Sequence, residues 1–171
     1  MPSLTSRAAG FAAASATALL VAGCSSATTE SGPQADSVTV ADQWVKAADS
    51  GMSAAFARFT NSGDREVRIV DATSPASARM EIHETVDADG SKTMRPKAGG
   101  LVIPAHGSVA LQAGGDHLMF LDLVAPLRTG SQTPITVKFA DGSARTFTAQ
   151  VRDFAGNKEN YAPAESPAHG G

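Results

Sequence analysis

Three histidines and three methionines lie within 40 residues of one another in the middle of this chain: Met80, His83, Met94, His106, His117 and Met119. Imidazole and thioether are neutral, soft-to-intermediate metal ligands, and thioether favours copper(I) over zinc, magnesium or calcium. The full sequence has only one cysteine, so soft-metal chemistry here depends on methionine.

The run His117-Leu118-Met119 places a histidine and a methionine two residues apart. On a β-strand, residues two apart project from the same face, so His117 and Met119 would point together while Leu118 and Phe120 point to the other face. Two glycines at 114–115 would allow a tight turn immediately before this strand.

A second His–Met pair is predicted across a hairpin. Residues 87–90 (Asp-Ala-Asp-Gly) have the composition of a four-residue loop with glycine where positive φ is needed. If Val86 pairs with Ser91, His83 lies directly opposite Met94, at a distance that lets both side chains reach one ion. Met80 would then face the core.

Each residue also has a structural interpretation. Methionine in an apolar strand usually fills the core, and an isolated histidine is usually a polar surface group. We expect His106 in an exposed turn and Glu84 solvated or ion-paired. Met52, near a strand start, could flank the mouth of a copper site, but core or surface packing is the expectation. Trp44 is expected to anchor the core, because the domain has few aromatic residues.

The elements that must position these residues are short and apolar, and turn clusters such as Asp141-Gly142 separate them. This spacing predicts an antiparallel sandwich or barrel with no helix in the domain. The predicted strands are roughly 38–47, 53–60, 66–73, 79–86, 91–95, 100–103, 107–112, 117–125, 134–140 and 144–152. They form one domain over 38–153, and the polar, Ala/Pro-rich residues 154–171 indicate a disordered tail.

The N-terminus indicates export. An apolar run, Ala8 to Ala22, precedes Gly23-Cys24 and is typical of a secretory signal over 1–23. Residues 20–24 (Leu-Val-Ala-Gly-Cys) resemble a lipobox, which implies cleavage before Cys24, lipidation of its thiol and anchoring to the outer face of the bacterial cell membrane. Residues 24–37 would form a flexible tether.

Composition excludes several function classes. The formal net charge is −3 and no basic cluster is present, which argues against a nucleic-acid partner. The sequence has no nucleophile-elbow, zincin or phosphate-loop motif, so we expect no enzyme activity. An electron-transfer copper site needs a cysteine thiolate, and the only cysteine is assigned to the lipid anchor.

The residue runs 81–85, 94–96 and 114–119 closely resemble the motif of the periplasmic copper chaperone family PCu(A)C. In this chain ten residues separate His83 from Met94, and 22 separate Met94 from His117. The resemblance implies a cupredoxin-like Greek-key β-sandwich that holds one copper(I) per monomer with His83, Met94, His117 and Met119. It also implies delivery toward the copper centre of a respiratory cytochrome oxidase, to the oxidase subunit itself or through a thiol-bearing assembly factor.

Two alternatives remain open at this stage. The protein could be a lipid-anchored copper buffer or store, although a single accessible site with neutral ligands favours transfer. It could also be a binding module in which the histidines and methionines are structural. The tail carries only His169, so a second copper site there is not expected.

Overall fold

The computed structural model describes residues 32–88, 90–156 and 160–161, and β-strands are its dominant secondary structure. The elements are α1 (Gln34–Ser37), β1 (Val38–Lys46), β2 (Ser53–Asn61), β3 (Val67–Thr73), β4 (Ser77–Ala88), β5 (Ser91–Pro96), β6 (Leu101–Ile103), β7 (Ser108–Leu111), β8 (His117–Leu123), β9 (Gln132–Phe139), β10 (Ala144–Arg152) and β11 (Asn160–Tyr161). All ten predicted strands are present, and the four-residue α1 and the short β11 are additions.

The strands hydrogen-bond in the order β11-β5-β4-β8-β2-β1-β10-β9-β3-β6, with β7 also paired to β2. Two pairings, β1 with β10 and β11 with β5, are parallel, and the others are antiparallel. Because β4 pairs with β8 and β8 with β2, the chain crosses between distant strands as a Greek-key fold does. The predicted all-β Greek-key class is confirmed.

The main core lies on one face of these strands. Its largest fully buried members include Phe59, Ile69, Phe120 and Phe139. Removing these apolar side chains from water stabilises the fold. Met80 belongs to this core, as its position on β4 predicted. The residues on the opposite face of β4 and β8 do not belong to this core.

Trp44 is not part of the main core, contrary to expectation. It is half-buried, and its ring packs on Phe56 (4.5 Å between ring centroids) and on Phe154 (5.2 Å). The cause is a register shift in β1 between Ala41 and Trp44. A bulge changes which residues face inward, so Val45 enters the core and Trp44 turns to the other side.

The ordered chain begins before Val38. Ala35 of α1 is buried in the core, and its carbonyl accepts hydrogen bonds from the Arg145 guanidinium. The backbone amide of Gln34 donates to the Asp141 carboxylate at 2.7 Å. Residues 34–37 therefore depart from the predicted tether, because these contacts join them to the domain.

Part of the predicted tail is also ordered. Phe154 packs on Trp44, Lys46 donates to the carbonyl of Gly156, and β11 pairs with β5. These residues depart from the predicted disorder over 154–171, of which positions 157–159 and 162–171 lie outside the described residues. The predicted signal, Cys24 and the tether up to residue 31 also lie outside them. No helix in the described ranges has the length and apolarity needed to cross a membrane.

Candidate metal centre

Two histidines face each other at the middle of the β4–β8 pair. The register places His83 directly opposite His117, with ring centroids 5.6 Å apart and ring planes at 68°. Both side chains are fully buried. Sequence reasoning did not predict this pairing, which joins the two predicted His–Met pairs.

Two methionines lie on the same face of these strands. Met119 follows His117 by two residues, and Leu118 between them points into the main core as alternation predicted. Met94 and Met119 are 6% and 3% exposed, and with Leu121 they form an apolar cluster separate from the main core. The thioethers thus pack together beside the paired imidazoles.

The predicted hairpin register is wrong by two residues. Ala88 pairs with Ser91, so Met94 lies opposite Thr85 and His83 lies opposite Pro96. β4 continues to Ala88, where Asp87 pairs with Lys92 across the ladder at 3.2 Å. A register shift of two residues keeps each side chain on the same face of the sheet. Met94 therefore remains a diagonal neighbour of His83.

The four predicted ligands thus come from three adjacent strands, β5, β4 and β8, and share one face. They offer two imidazole nitrogens and two thioether sulfurs, a neutral donor set that suits a soft monovalent ion. Within residues 32–88, 90–156 and 160–161, no three His, Cys, Asp or Glu side chains gather as a metal site.

Each imidazole is held by an acceptor two residues earlier in the chain. His83 Nε2 lies 2.7 Å from Glu81 Oε2, and Glu81 Oε1 accepts from Arg79 Nη1 at 2.8 Å. His117 Nδ1 donates to the Gly115 carbonyl at 3.0 Å. Glu81 was not singled out from the sequence, although its place two residues before His83 on a strand puts it on the same face.

An ion-pair network lies on the opposite face of the same strands. Lys97 Nζ is 3.3 Å from Glu84 and 3.2 Å from Asp116, and Arg95 Nε is 2.9 Å from Glu84. The hydrogen bond from Arg95, reinforced by Lys97, lowers the pKa of Glu84 despite partial desolvation. Partial burial disfavours the charge of Lys97, but Asp116 and Glu84 outweigh that effect and raise its pKa.

The remaining histidines and methionines among the described residues are exposed or belong to the main core. His106 is an exposed turn residue, as predicted, and pairs with Asp64 at 2.9 Å. Met52 is exposed, and His169 lies outside the described residues. Phe56, which sequence reasoning missed, has its ring 6.3 Å from that of His117.

The expectation of an accessible site is not met. None of the four predicted ligand side chains is more than 6% exposed. An ion bound here would be enclosed by protein.

The chain matches one family model across most of its length. The model, described as "Putative lipoprotein LpqE-like", matches residues 38–151. The chain is also 44% identical over 130 residues to "Putative lipoprotein Lxx21020" of Leifsonia xyli subsp. xyli (strain CTCB07). That alignment covers 76% of this chain and 78% of the relative.

Solved structures with the same fold include copper-binding domains. The chain superposes on the copper-bound PCuAC domain from PmoF2 with a TM-score of 0.57 at 18% identity, over 69% of this chain and 94% of that one. It also matches CuI-DR1885 from Deinococcus radiodurans with a TM-score of 0.52 at 28% identity, over 71% and 84% of the two chains. Apo-DR1885 gives a TM-score of 0.51 at 29% identity, over 90% and 97%.

Proposed function

We propose, from the premise that the chain belongs to the LpqE-like lipoprotein family, that it is an extracytoplasmic metallochaperone for copper(I). One ion per monomer would be held by His83, Met94, His117 and Met119. The observation that carries this proposal is the gathering of two buried imidazoles and two buried thioethers on one face of three strands. Similarity to CuI-DR1885 supports the same metal.

The donor set accounts for the choice of ion. Thioether and neutral imidazole ligands carry no charge of their own, which disfavours more highly charged ions that prefer oxygen ligands. Thioethers need no deprotonation to bind, and they cannot be lost to disulfide formation as thiolates can in an oxidising compartment. The site would therefore remain competent outside the cytoplasm.

Copper titration tests the site directly. The purified full-length chain should withdraw one copper(I) per monomer from a competing chelator, and His83→Ala and Met119→Ala should each lose high-affinity uptake. The matched control is His106→Ala, because it removes an imidazole at an exposed position where the ring pairs with Asp64. A wild type that takes up no copper, or ligand variants that match the control, would overturn the proposal.

We further propose that the cargo goes toward the copper centre of a respiratory oxidase, directly or through a thiol-bearing assembly factor. Copper(I) held by neutral ligands can be passed to thiolates, which bind soft ions more tightly. The test is incubation of the copper-loaded protein with a soluble oxidase copper domain under reducing conditions, with the metal followed by gel filtration. Metallation of the acceptor supports delivery.

Burial of all four donors favours copper storage as the second candidate. An enclosed ion exchanges slowly unless a partner opens the site. Release that is slow with every acceptor, including a thiol-bearing one, would assign the protein to storage and exclude delivery.

Attachment to the outer face of the cell membrane through lipidated Cys24 is part of the proposal, supported by the family's description as lipoproteins. Mass spectrometry of the protein isolated from membranes should find the mass of a lipid on Cys24, and Cys24→Ser should remove that mass. A wild-type protein whose Cys24 carries no lipid would rule out anchoring through this thiol.

A further inference from the structure

We infer that Glu81 is a positioning residue that selects Nδ1 of His83 as the copper-binding nitrogen, while the Gly115 carbonyl selects Nε2 of His117. The two imidazoles would therefore bind one ion through different ring nitrogens. This inference deepens the proposed function and depends on it.

The assignment for His83 follows from the chemistry of its partner. Glu81 Oε2 lies 2.7 Å from His83 Nε2, and an ionised carboxylate can only accept a hydrogen bond. The proton of the neutral ring must then be on Nε2, which places the metal-binding lone pair on Nδ1. A hydrogen bond at one nitrogen commonly determines which nitrogen binds metal.

The assignment for His117 is independent of the first. A carbonyl oxygen has no proton to donate, so Nδ1 must donate to Gly115 at 3.0 Å. The lone pair of His117 is then on Nε2. In both cases the acceptor lies two residues before the histidine, but it engages the opposite nitrogen.

Glu81 is itself held in place. Its second oxygen accepts from Arg79 Nη1 at 2.8 Å, and its side chain is 22% exposed. In the β4–β8 register it lies directly opposite Met119, so its charge is in the same row as one proposed ligand. A carboxylate beside a site of neutral ligands also offsets the charge of a bound monovalent cation.

The test compares Glu81→Ala, which removes the acceptor and the charge, with Glu81→Gln, which keeps an acceptor oxygen. Glu66→Gln is the matched control, because Glu66 forms an ion pair with Arg68 at the same two-residue spacing, at 3.3 Å and away from the site. Two properties are measured on the full-length chain: the imidazole tautomers in the metal-free protein, by long-range ¹H–¹⁵N correlation, and the copper(I) affinity, by chelator competition.

In the wild type we expect the proton of His83 on Nε2 and that of His117 on Nδ1. Glu81→Ala should give a mixture of tautomers at His83 alone and weaken copper(I) binding about 10- to 100-fold, the usual effect of removing such a partner. Glu81→Gln should weaken binding less than Glu81→Ala, and Glu66→Gln should match the wild type.

The two proposals can fail separately. If the wild type binds copper(I) but His83 carries its proton on Nδ1, the positioning role of Glu81 is wrong while the copper site stands. The same conclusion follows if both Glu81 variants keep the wild-type tautomer and affinity. If the wild type binds no copper(I), the proposed function and the assignment of the copper-binding nitrogens are both wrong.

Discussion

Met80 and Met94 are equally buried, at 6% exposure each, yet they lie in different surroundings. Met80 packs in the main core with Ile82 and Phe120, whereas Met94 packs with Met119 and Leu121 on the opposite face. Burial alone therefore does not separate a thioether that fills space from one that can bind an ion. The face of the strand and the neighbouring imidazoles make that distinction.

This contrast yields a prediction. Met94→Leu removes a proposed sulfur ligand but nearly conserves side-chain volume, so it should cost less than about 1.5 kcal/mol of unfolding free energy. Copper(I) affinity should fall at least about tenfold. Urea unfolding and chelator competition measure the two quantities.

Met80→Leu is the control for that experiment, since it is the same exchange at equal burial on the core face. It should have a similarly small effect on stability and leave copper(I) affinity unchanged. Equal affinities for the two variants would show that Met94 is a packing residue and not a ligand.

At the scale of elements, the strands that carry the candidate ligands are joined on their reverse face by charges. Lys97 of the segment after β5 lies between Glu84 of β4 and Asp116 before β8. These three side chains are no more than 27% exposed, so solvent screens them less than it screens a surface pair. The network ties β5, β4 and β8 together behind His83, Met94 and His117.

Lys97→Met should therefore lower the unfolding free energy by about 1 kcal/mol, at the upper end of the range for partly exposed ion pairs. The comparison is Lys92→Met, which removes a cross-strand pair with Asp87 whose side chains are 56% and 79% exposed. We expect that change to cost no more than about 0.5 kcal/mol. Denaturant unfolding at low salt measures both, and an equal cost would contradict a bracing role for Lys97.

Strand alternation allowed the faces of this site to be predicted from sequence, but the sequence did not determine the pairing. His117 and Met119 share a face because they are two residues apart, and Met94 kept its face although its register was wrong by two. The pairing of His83 with His117 joins strands separated by β5, β6 and β7. No turn length fixes such a register, so local reasoning could not reach it.

Irregular backbone and long-range contacts explain the other differences between the predicted and the observed structure. The bulge in β1 that turns Trp44 away from the core is a deviation from alternation, and its sequence, Ala41-Asp42-Gln43, carries no glycine or proline signal. The ordering of α1 and β11 depends on contacts with distant residues such as Asp141 and Thr93. Composition alone made both segments resemble linkers.

At the scale of the whole molecule, Asp141 connects the start of the described chain to its last hairpin. It lies in the turn between β9 and β10 and accepts hydrogen bonds from the Gln34 amide and from Ser143. These bonds, the Gln34 amide first, lower the pKa of Asp141. A depressed pKa stabilises the fold above the pKa of the unfolded state, and this contribution is lost as pH falls through the folded value.

Asp141→Asn should therefore lower the melting temperature at pH 7, and the difference from the wild type should shrink as pH falls below about 4. Thermal unfolding at pH 2.5–7 measures this convergence. Parallel curves for Asp141→Asn and the wild type would exclude the proposed linkage.

The pairing of His83 with His117 also bears on when the ion can be acquired. In the unfolded chain these residues are separated by the length of three strands, and bringing them together carries a loop-closure cost that folding has not yet offset. A metal held by both imidazoles and both thioethers therefore binds the folded chain and not an extended one. By mass action such a ligand stabilises the folded state, by about 2.7 kcal/mol when its free concentration is 100 times Kd. A chain exported unfolded would thus fold first and acquire copper afterwards, outside the cytoplasm.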